Sequence, residues 1–485
     1  MRFIGNAPVD GEVRAIASGA LATGDTVVVN ADGTVSVAAE ASVSEGTGSP
    51  SVLDSSRTQF FSTAFDSSTN KILISYADYG NANSATVVVG TVSGTSINFG
   101  TPVSTGGQYV DWTSVSYDST NDKIVVAYST GGAGKAIVGT ISGTSVSFGT
   151  AVNFAGGNNA EEITSVYDSN SGKIVISYKD TNNSNYGKSV VGTVSGTSIS
   201  FGSPVTFNSG ATYYLVSTFD STSNKVTLAY KDGGNSFYGT ATVGDVSGTS
   251  ISFGSEVVFE SANTDLISLA HDTAQNKTLF SYKDNGNSQR GTARVATVSG
   301  TSISFGAVVT FTSSAMYSAA ETTSSVYNPL SGKIYVIFAD GGNSNRGTII
   351  PATISGTNVT FGSTVVFETG STAYPSAVYD SNSSAIVVAY EDEGNSQAGT
   401  GVVYQAGYTS TNLTSENFVG FANSGYADGQ SAAINSTCAV DNKQSGLTAG
   451  ETYYVQTDGT LGTAAADPSV VAGTAISSNS IIVKG

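Results

Sequence analysis

Tyr109, Asp111, Trp112, Tyr213, Tyr214, Asp265, Tyr317 and Tyr374 fall in segments where an otherwise repetitive chain departs from its own pattern. Aromatic rings can cover the apolar C–H face of a sugar, while carboxylates and amides pair with its hydroxyls. These eight residues are therefore the candidate ligand-binding set, and the ligand they suit is a glycan. Trp112 is the single tryptophan, and packing between repeats would use it as well as a ligand would.

Catalytic patterns are weak by comparison. His271 sits where the other repeats carry a Tyr or Phe, so it reads as a packing residue and removes a Ser-His-Asp triad. Glu161 and Glu162 could in principle serve a glycosidase, but adjacency in sequence is a poor guide to a working carboxylate pair. The chain has six arginines, too scattered for the carboxylate-binding cluster that sialidase chemistry needs. Its Gly-rich turns lack a phosphate-cradling Lys. Asp-x-Gly-Asn-Ser loops recur, with Asp78, Asp232, Asp284, Asp340 and Asp392 leading them. Their few oxygens suit the capping of a turn better than a calcium ion. No catalytic residue, metal ligand or cofactor is expected.

The elements that must position these residues are set by an internal repeat of about 52 residues. Its first anchor is an aromatic or His followed by Asp or Asn: Phe65-Asp66, Tyr117-Asp118, Tyr167-Asp168, Phe219-Asp220, His271-Asp272, Tyr327-Asn328 and Tyr379-Asp380. The second is Ser-Gly-Thr-(Ser/Asn) leading to Phe-Gly, at Phe99, Phe148, Phe201, Phe253, Phe305 and Phe361. Within a repeat, four runs of β-branched and aromatic residues are separated by Gly- and Asn-bearing turns. One four-stranded unit cannot bury both its faces, so such units stack around an axis as the blades of a β-propeller. The expected fold is all-β: a seven-bladed β-propeller over residues 46–408, with small β modules from residues 1–45 and 409–485. The last repeat lacks its Ser-Gly-Thr strand. Residues 48–53 align with 202–207 and should supply the missing strand, closing the ring and removing two open edges. Short, near-identical turns lie on one face of such a ring. The variable connections, and with them the eight candidates, lie on the other, as a binding surface on a fixed scaffold would.

Outside the repeats, Leu21–Thr34 matches Leu447–Thr460 without a gap, and Phe3-Ile4-Gly5 is echoed by Phe418-Val419-Gly420. Two related modules should therefore flank the propeller and could anchor or oligomerise it. The net charge of −18, from 19 basic and 37 acidic residues, argues against nucleic acid, whose phosphates need clustered Lys and Arg. It also argues against an anionic membrane surface, and no window is apolar enough for membrane insertion. Cys438 is the single cysteine, which excludes an intrachain disulfide and reads as a small buried residue. The start of the chain carries no apolar signal region, so folding in a cytosol without export is expected.

The phrases Tyr167 to Asp180 and Val191 to Gly202 resemble repeats in tail fibre and virion adhesin proteins of marine bacteriophages, including cyanophages. Ser410 to Gly420 and Tyr453 to Leu461 are similar to the closing segments of such proteins. The resemblance spans most of the chain. It implies a virion component assembled in the host cytoplasm, with other virion proteins, further copies of the chain and host-surface glycan as partners. It brings no established site residues. The alternatives are a purely architectural virion or capsid decoration protein and a polysaccharide-degrading tailspike.

Overall fold

The computed structural model describes residues 11–484, so the Phe3-Ile4-Gly5 motif lies outside the described residues. Strand is the dominant structure, and the helical content is a few three-residue 3₁₀ turns. The chain divides into two compact units. One runs from Glu45 to Ala406, and the other is drawn from both ends, up to Ser44 and from Gly407 onwards.

Residues 45–406 form a β-propeller. The fourth repeat shows the pattern: the inner part of Val205–Asp220 pairs antiparallel with Lys225–Asp232, then Tyr238–Ser247, then Ser250–Phe253. Next comes Val257–Asp272, whose first half pairs back onto Tyr238–Ser247 and whose second half opens the following repeat. One long strand thus serves two neighbouring units. The closing strand arrives as expected: Gly46–Thr47 and the start of Ser51–Asp66 pair with Ala398–Gln405, with Val52 opposite Thr400.

Both sequence anchors acquire physical causes. Each anchor Asp accepts hydrogen bonds from the backbone two and three residues on, as Asp220 does from Thr222 and Ser223, and so caps the turn after the inner strand. The Phe-Gly of one repeat is read by the Ser-Gly-Thr turn of the next. A methyl group on Gly202 would lie 1.9 Å from the Thr249 carbonyl oxygen, and Gly100, Gly149, Gly254 and Gly306 stand in the same way against Thr144, Thr197, Thr301 and Thr357. Gly48 of the closing strand takes the same place against Thr95, which fixes its equivalence to Gly202. Hydroxyls stitch the innermost strands to one another, among them Thr63 to Ser376 (3.0 Å), Ser114 to Ser165 (2.9 Å) and Thr164 to Ser217 (2.8 Å). Buried Tyr76, Tyr128, Tyr178, Tyr230, Tyr282 and Tyr390 fill the layers between the sheets.

The terminal segments depart from the expectation of one module from each end. Glu12–Ile16, Thr26–Val29 and Val35–Val37 share a five-stranded sheet with Phe418–Ala422 and Ser431–Asn435, while a second five-stranded sheet is built from residues 440–483 alone. The two sheets have the same strand order, and their equivalent hairpins match bond for bond. Thr34 and Thr460 donate to Asp32 and Asp458 at 2.9 Å, and Gly24 and Gly450 share a φ of +89°. Each sheet is therefore one copy of a tandem module. In the first copy the propeller is inserted between the third and fourth strands, where the second copy has only residues 463–469. Glu40–Val43 pairs with Tyr408–Thr411 at the base of the insertion, Val43 opposite Tyr408, and the propeller unit runs over 45–406 rather than 46–408. Cys438, expected to be buried, is exposed, with a φ of +71° in the link between the two sheets. A turn residue with its N–H on the Val483 carbonyl is held by its backbone rather than its side chain.

A chain in which residues 45–406 are replaced by residues 463–469 should therefore fold as the double module, because strands already paired at the excision point need no long loop to join. A cooperative thermal melt with a β-type circular dichroism spectrum is the expected result. A disordered product would show that the module needs the propeller.

Candidate ligand cavity

The first strand of a repeat is not regular. Its pairing slips between Gln59 and Ser62, Glu161 and Thr164, Tyr213 and Val216, Asp265 and Ser268, and Ala373 and Ser376. Within each slip one residue takes a left-handed backbone: Phe60, Glu162, Tyr214, Leu266 and Tyr374, with Glu321 in the sixth repeat (φ +48° to +60°). Left-handed backbone in large non-Gly side chains costs on the order of 1 kcal/mol or more each, and such strain concentrates at functional sites. A bulge also re-aims a side chain. These bulges send theirs into a common space.

That space is a cavity of about 520 Å³. Every repeat contributes to its rim the residue five before the anchor aromatic: Phe60, Trp112, Glu162, Tyr214, Leu266, Thr322 and Tyr374. Four of the seven are aromatic. Phe60 contacts both Trp112 and Tyr374, with ring centroids 5.3 and 5.0 Å apart, so three rings form one apolar wall. Glu162, Glu321 and Lys231 supply charge, and Ser62, Ser114, Thr164 and Ser324 place hydroxyls deeper in.

The charges are ordered by lysines on the neighbouring strands. Lys231 donates to Asp265 Oδ1 at 2.7 Å and lies over the rings of Tyr214 and Phe237. Lys283 reaches Asp265 Oδ2 at 3.2 Å. Burial alone would raise the Asp265 carboxyl, but Asn285, Lys231 and Lys283 outweigh it and hold it below its ordinary value. Lys179 pairs with Glu161 at 2.7 Å and stands 4.0 Å from Glu162. Glu162 Oε2 accepts the Tyr214 N–H at 3.1 Å. Burial, opposed by Lys179 and that hydrogen bond and helped by Glu161 and Glu321, pushes Glu162 up to about 7. Burial likewise raises Glu321, with Lys283 opposing and Asp265 adding to the rise.

Of the eight residues singled out from sequence, Trp112, Tyr213, Tyr214 and Tyr374 line this cavity. Asp265 stands behind the wall as the partner of two lysines. Tyr109 is 69% exposed and Asp111 is also exposed; neither lines the cavity, and nor does Tyr317. The sequence reading passed over Phe60, Leu266 and Lys231 as ligand contacts, and took Glu162 only as half of an adjacent pair. The signal was present. The column five before the anchor reads Phe, Trp, Glu, Tyr, Leu, Thr, Tyr, whereas the column three before it is almost all Ser or Thr. His271 is a buried packing residue, 3.1 Å from Asp220 and hydrogen-bonded to Thr222. Asp78, Asp284, Asp340 and Asp392 cap 3₁₀ turns, and among the described residues no group of three or more His, Cys, Asp or Glu is arranged to hold a metal.

No family model and no curated protein matches the chain. Among solved structures, it is similar to the BP39L lectin of Burkholderia pseudomallei (TM-score 0.51, 11% identity), over 72% of this chain and 99% of the lectin. The β-propeller domain of Cps50 (Swd1) from Myceliophteria thermophila superposes with TM-score 0.48 and 8% identity, over 75% of this chain and all of that domain (100%). The NanB sialidase of Streptococcus pneumoniae gives 0.41 and 12%, over 74% of this chain and 69% of the sialidase. At such identities the first of these shows the fold, a β-propeller, and nothing finer.

Proposed function

We propose that this protein is a glycan-binding propeller that holds a saccharide in the cavity ringed by Phe60, Trp112, Glu162, Tyr214, Leu266, Thr322 and Tyr374. One observation carries the reading: strained bulges from several repeats converge aromatic faces, carboxylates and hydroxyls on a single space of about 520 Å³. Stacking of C–H faces on Trp112 or Tyr374, with hydroxyls on Glu162 and the Ser/Thr layer, is the contact set it offers. A propeller of this fold in Burkholderia is a lectin, which is consistent with that use of the scaffold. We place the protein on a bacteriophage virion, as a tail or surface fibre contacting the host envelope; that setting rests on the resemblance of the repeats. Repeated copies on a particle would multiply a modest single-site affinity.

Binding to a panel of bacterial envelope polysaccharides should be saturable and should fall at least about fivefold in Trp112→Ala, since removing one stacking ring forfeits roughly 1 kcal/mol or more. The thermal midpoint of the variant serves as the folding control. Equal binding by wild type and Trp112→Ala would place any glycan site elsewhere.

A second reading is favoured by Glu162. A carboxyl with a pKa of about 7 is part-protonated at neutral pH, as the general acid of a glycosidase must be. Release of reducing ends by the wild type, lost in Glu162→Gln, would make the protein a polysaccharide-cleaving enzyme.

A further inference from the structure

Resting on the glycan-binding reading, we propose that the saccharide held in this cavity carries a primary ammonium group, as a de-N-acetylated amino sugar does, and that Glu162 and Glu321 receive it. Most of the charges around the cavity are already matched. Lys231 is held by Asp265 and Lys283 by the same carboxylate, while the close partner of Lys179 is Glu161. Two carboxylates lining the cavity are left over. Glu162 has one backbone N–H and a lysine no nearer than 4.0 Å. Glu321 has no hydrogen bond or ion pair among the described residues; its electrostatic neighbours are Lys283 and Asp265.

The surroundings of these two groups favour a cation. The rings of Phe60, Trp112, Tyr214 and Tyr374 line the same cavity, and aromatic faces attract ammonium groups. Lysines of the protein already use them so: Lys179 lies 5.9 Å from the Trp112 centroid, and Lys231 5.5 Å from that of Tyr214. Glu321 adds to the rise of the Glu162 carboxyl, an effect that a positive ligand would relieve and a carboxylated sugar would worsen. Glu162 is half-buried and Glu321 more exposed, so a charge-assisted hydrogen bond to Glu162 gains more than it would on the open surface. A neutral N-acetyl group in the same place would leave the two carboxylates only the shared charges of Lys179 and Lys283.

The test compares glucosamine hexamer with N-acetylglucosamine hexamer by calorimetry on the full chain, with wild type, Glu162→Gln, Glu321→Gln and Trp112→Ala. The amino form should bind wild type about tenfold more tightly or better, as expected for a hydrogen bond to a charged group. Each Gln variant should lose most of that preference, and Trp112→Ala should bind the amino form at least about fivefold more weakly. The acidic chain attracts any polycation, so Asp428→Asn, an exposed site in the other unit, is included and should leave the preference intact. If the N-acetyl form binds as well or better and Trp112→Ala weakens it, the ammonium inference fails and the glycan reading stands. If the amino form binds equally to wild type and Trp112→Ala, the attraction is non-specific and the inference fails. If neither hexamer nor any polysaccharide of the panel binds, both fall together.

Discussion

Gly48→Ala is expected to open the propeller. Its new methyl would sit 1.7 Å from the Thr95 carbonyl oxygen, a backbone atom inside a tight turn that has no rotamer to escape into. The same contact elsewhere joins repeats that are continuous in the chain through a long shared strand. At Gly48 it lies on the closing segment, which holds Ala398–Gln405 by pairing alone. Relief by detachment is therefore available there, at the loss of the Gly48 N–H bond to Val403 (2.8 Å), the Tyr76 hydroxyl bond to Asp54 (3.0 Å) and the burial of Leu53. A loss of about 3 kcal/mol, the upper end of overpacking costs, is the expected size. Denaturant unfolding measures it, and amide exchange at Gly399, Thr400 and Gly401 should quicken in the same variant. Gly46→Ala, where a methyl would meet nothing within 4 Å, should be nearly silent. Equal effects from the two substitutions would remove the closure argument.

Glu391→Gln should stabilise the protein above neutrality and not below pH 4.5. Glu391 is 1% exposed, one of its carboxylate oxygens has no partner, and burial, partly offset by Gln59 and Arg57, pushes it up to about 7. A carboxyl raised in the fold binds its proton more tightly there than in the unfolded chain. Its contribution to stability is therefore intact below the ordinary Glu range, falls as pH climbs from about 4.5 to about 7, and stays low above that. A shift of this size corresponds to on the order of 3 kcal/mol. The amide cannot ionise, so the gap between variant and wild type should widen by roughly that amount from pH 4.5 to pH 8 in parallel urea titrations. Glu162 is raised in the same window and remains in both proteins, so some pH dependence persists in the variant. A constant gap across the range would mean that Glu391 is charged in the fold at little cost.

The repeat was legible because its two anchors do local work. Asp220 must cap its own turn, and a Gly must follow Phe201 because a neighbouring carbonyl fills the space of a side chain; both requirements recur in most of the repeats and so appear in one dimension. The closing strand was legible for the same reason, since Gly48-Ser49-Pro50 meets the demands met by Gly202-Ser203-Pro204. The module duplication was also visible in Leu21–Thr34 and Leu447–Thr460. Its assembly was not: the strands that complete the first copy lie beyond the whole propeller, and a hairpin sequence does not say which distant strand will pair beside it.

The cavity divides in the same way. Sequence determined that aromatic and acidic residues cluster at the starts of the repeats, and it found Trp112, Tyr213, Tyr214 and Tyr374 by that route. Only the tertiary structure decided which of them face one another. A bulge slips the register of five of the inner strands, a change set by pairing with the second strand, and the slip turns Phe60, Glu162, Tyr214, Leu266 and Tyr374 into the same space while Tyr109 and Asp111 stay outside. Composition fixes which side chains are present, but the period of the strand fixes where they point, and a single extra residue in a pairing reverses the face.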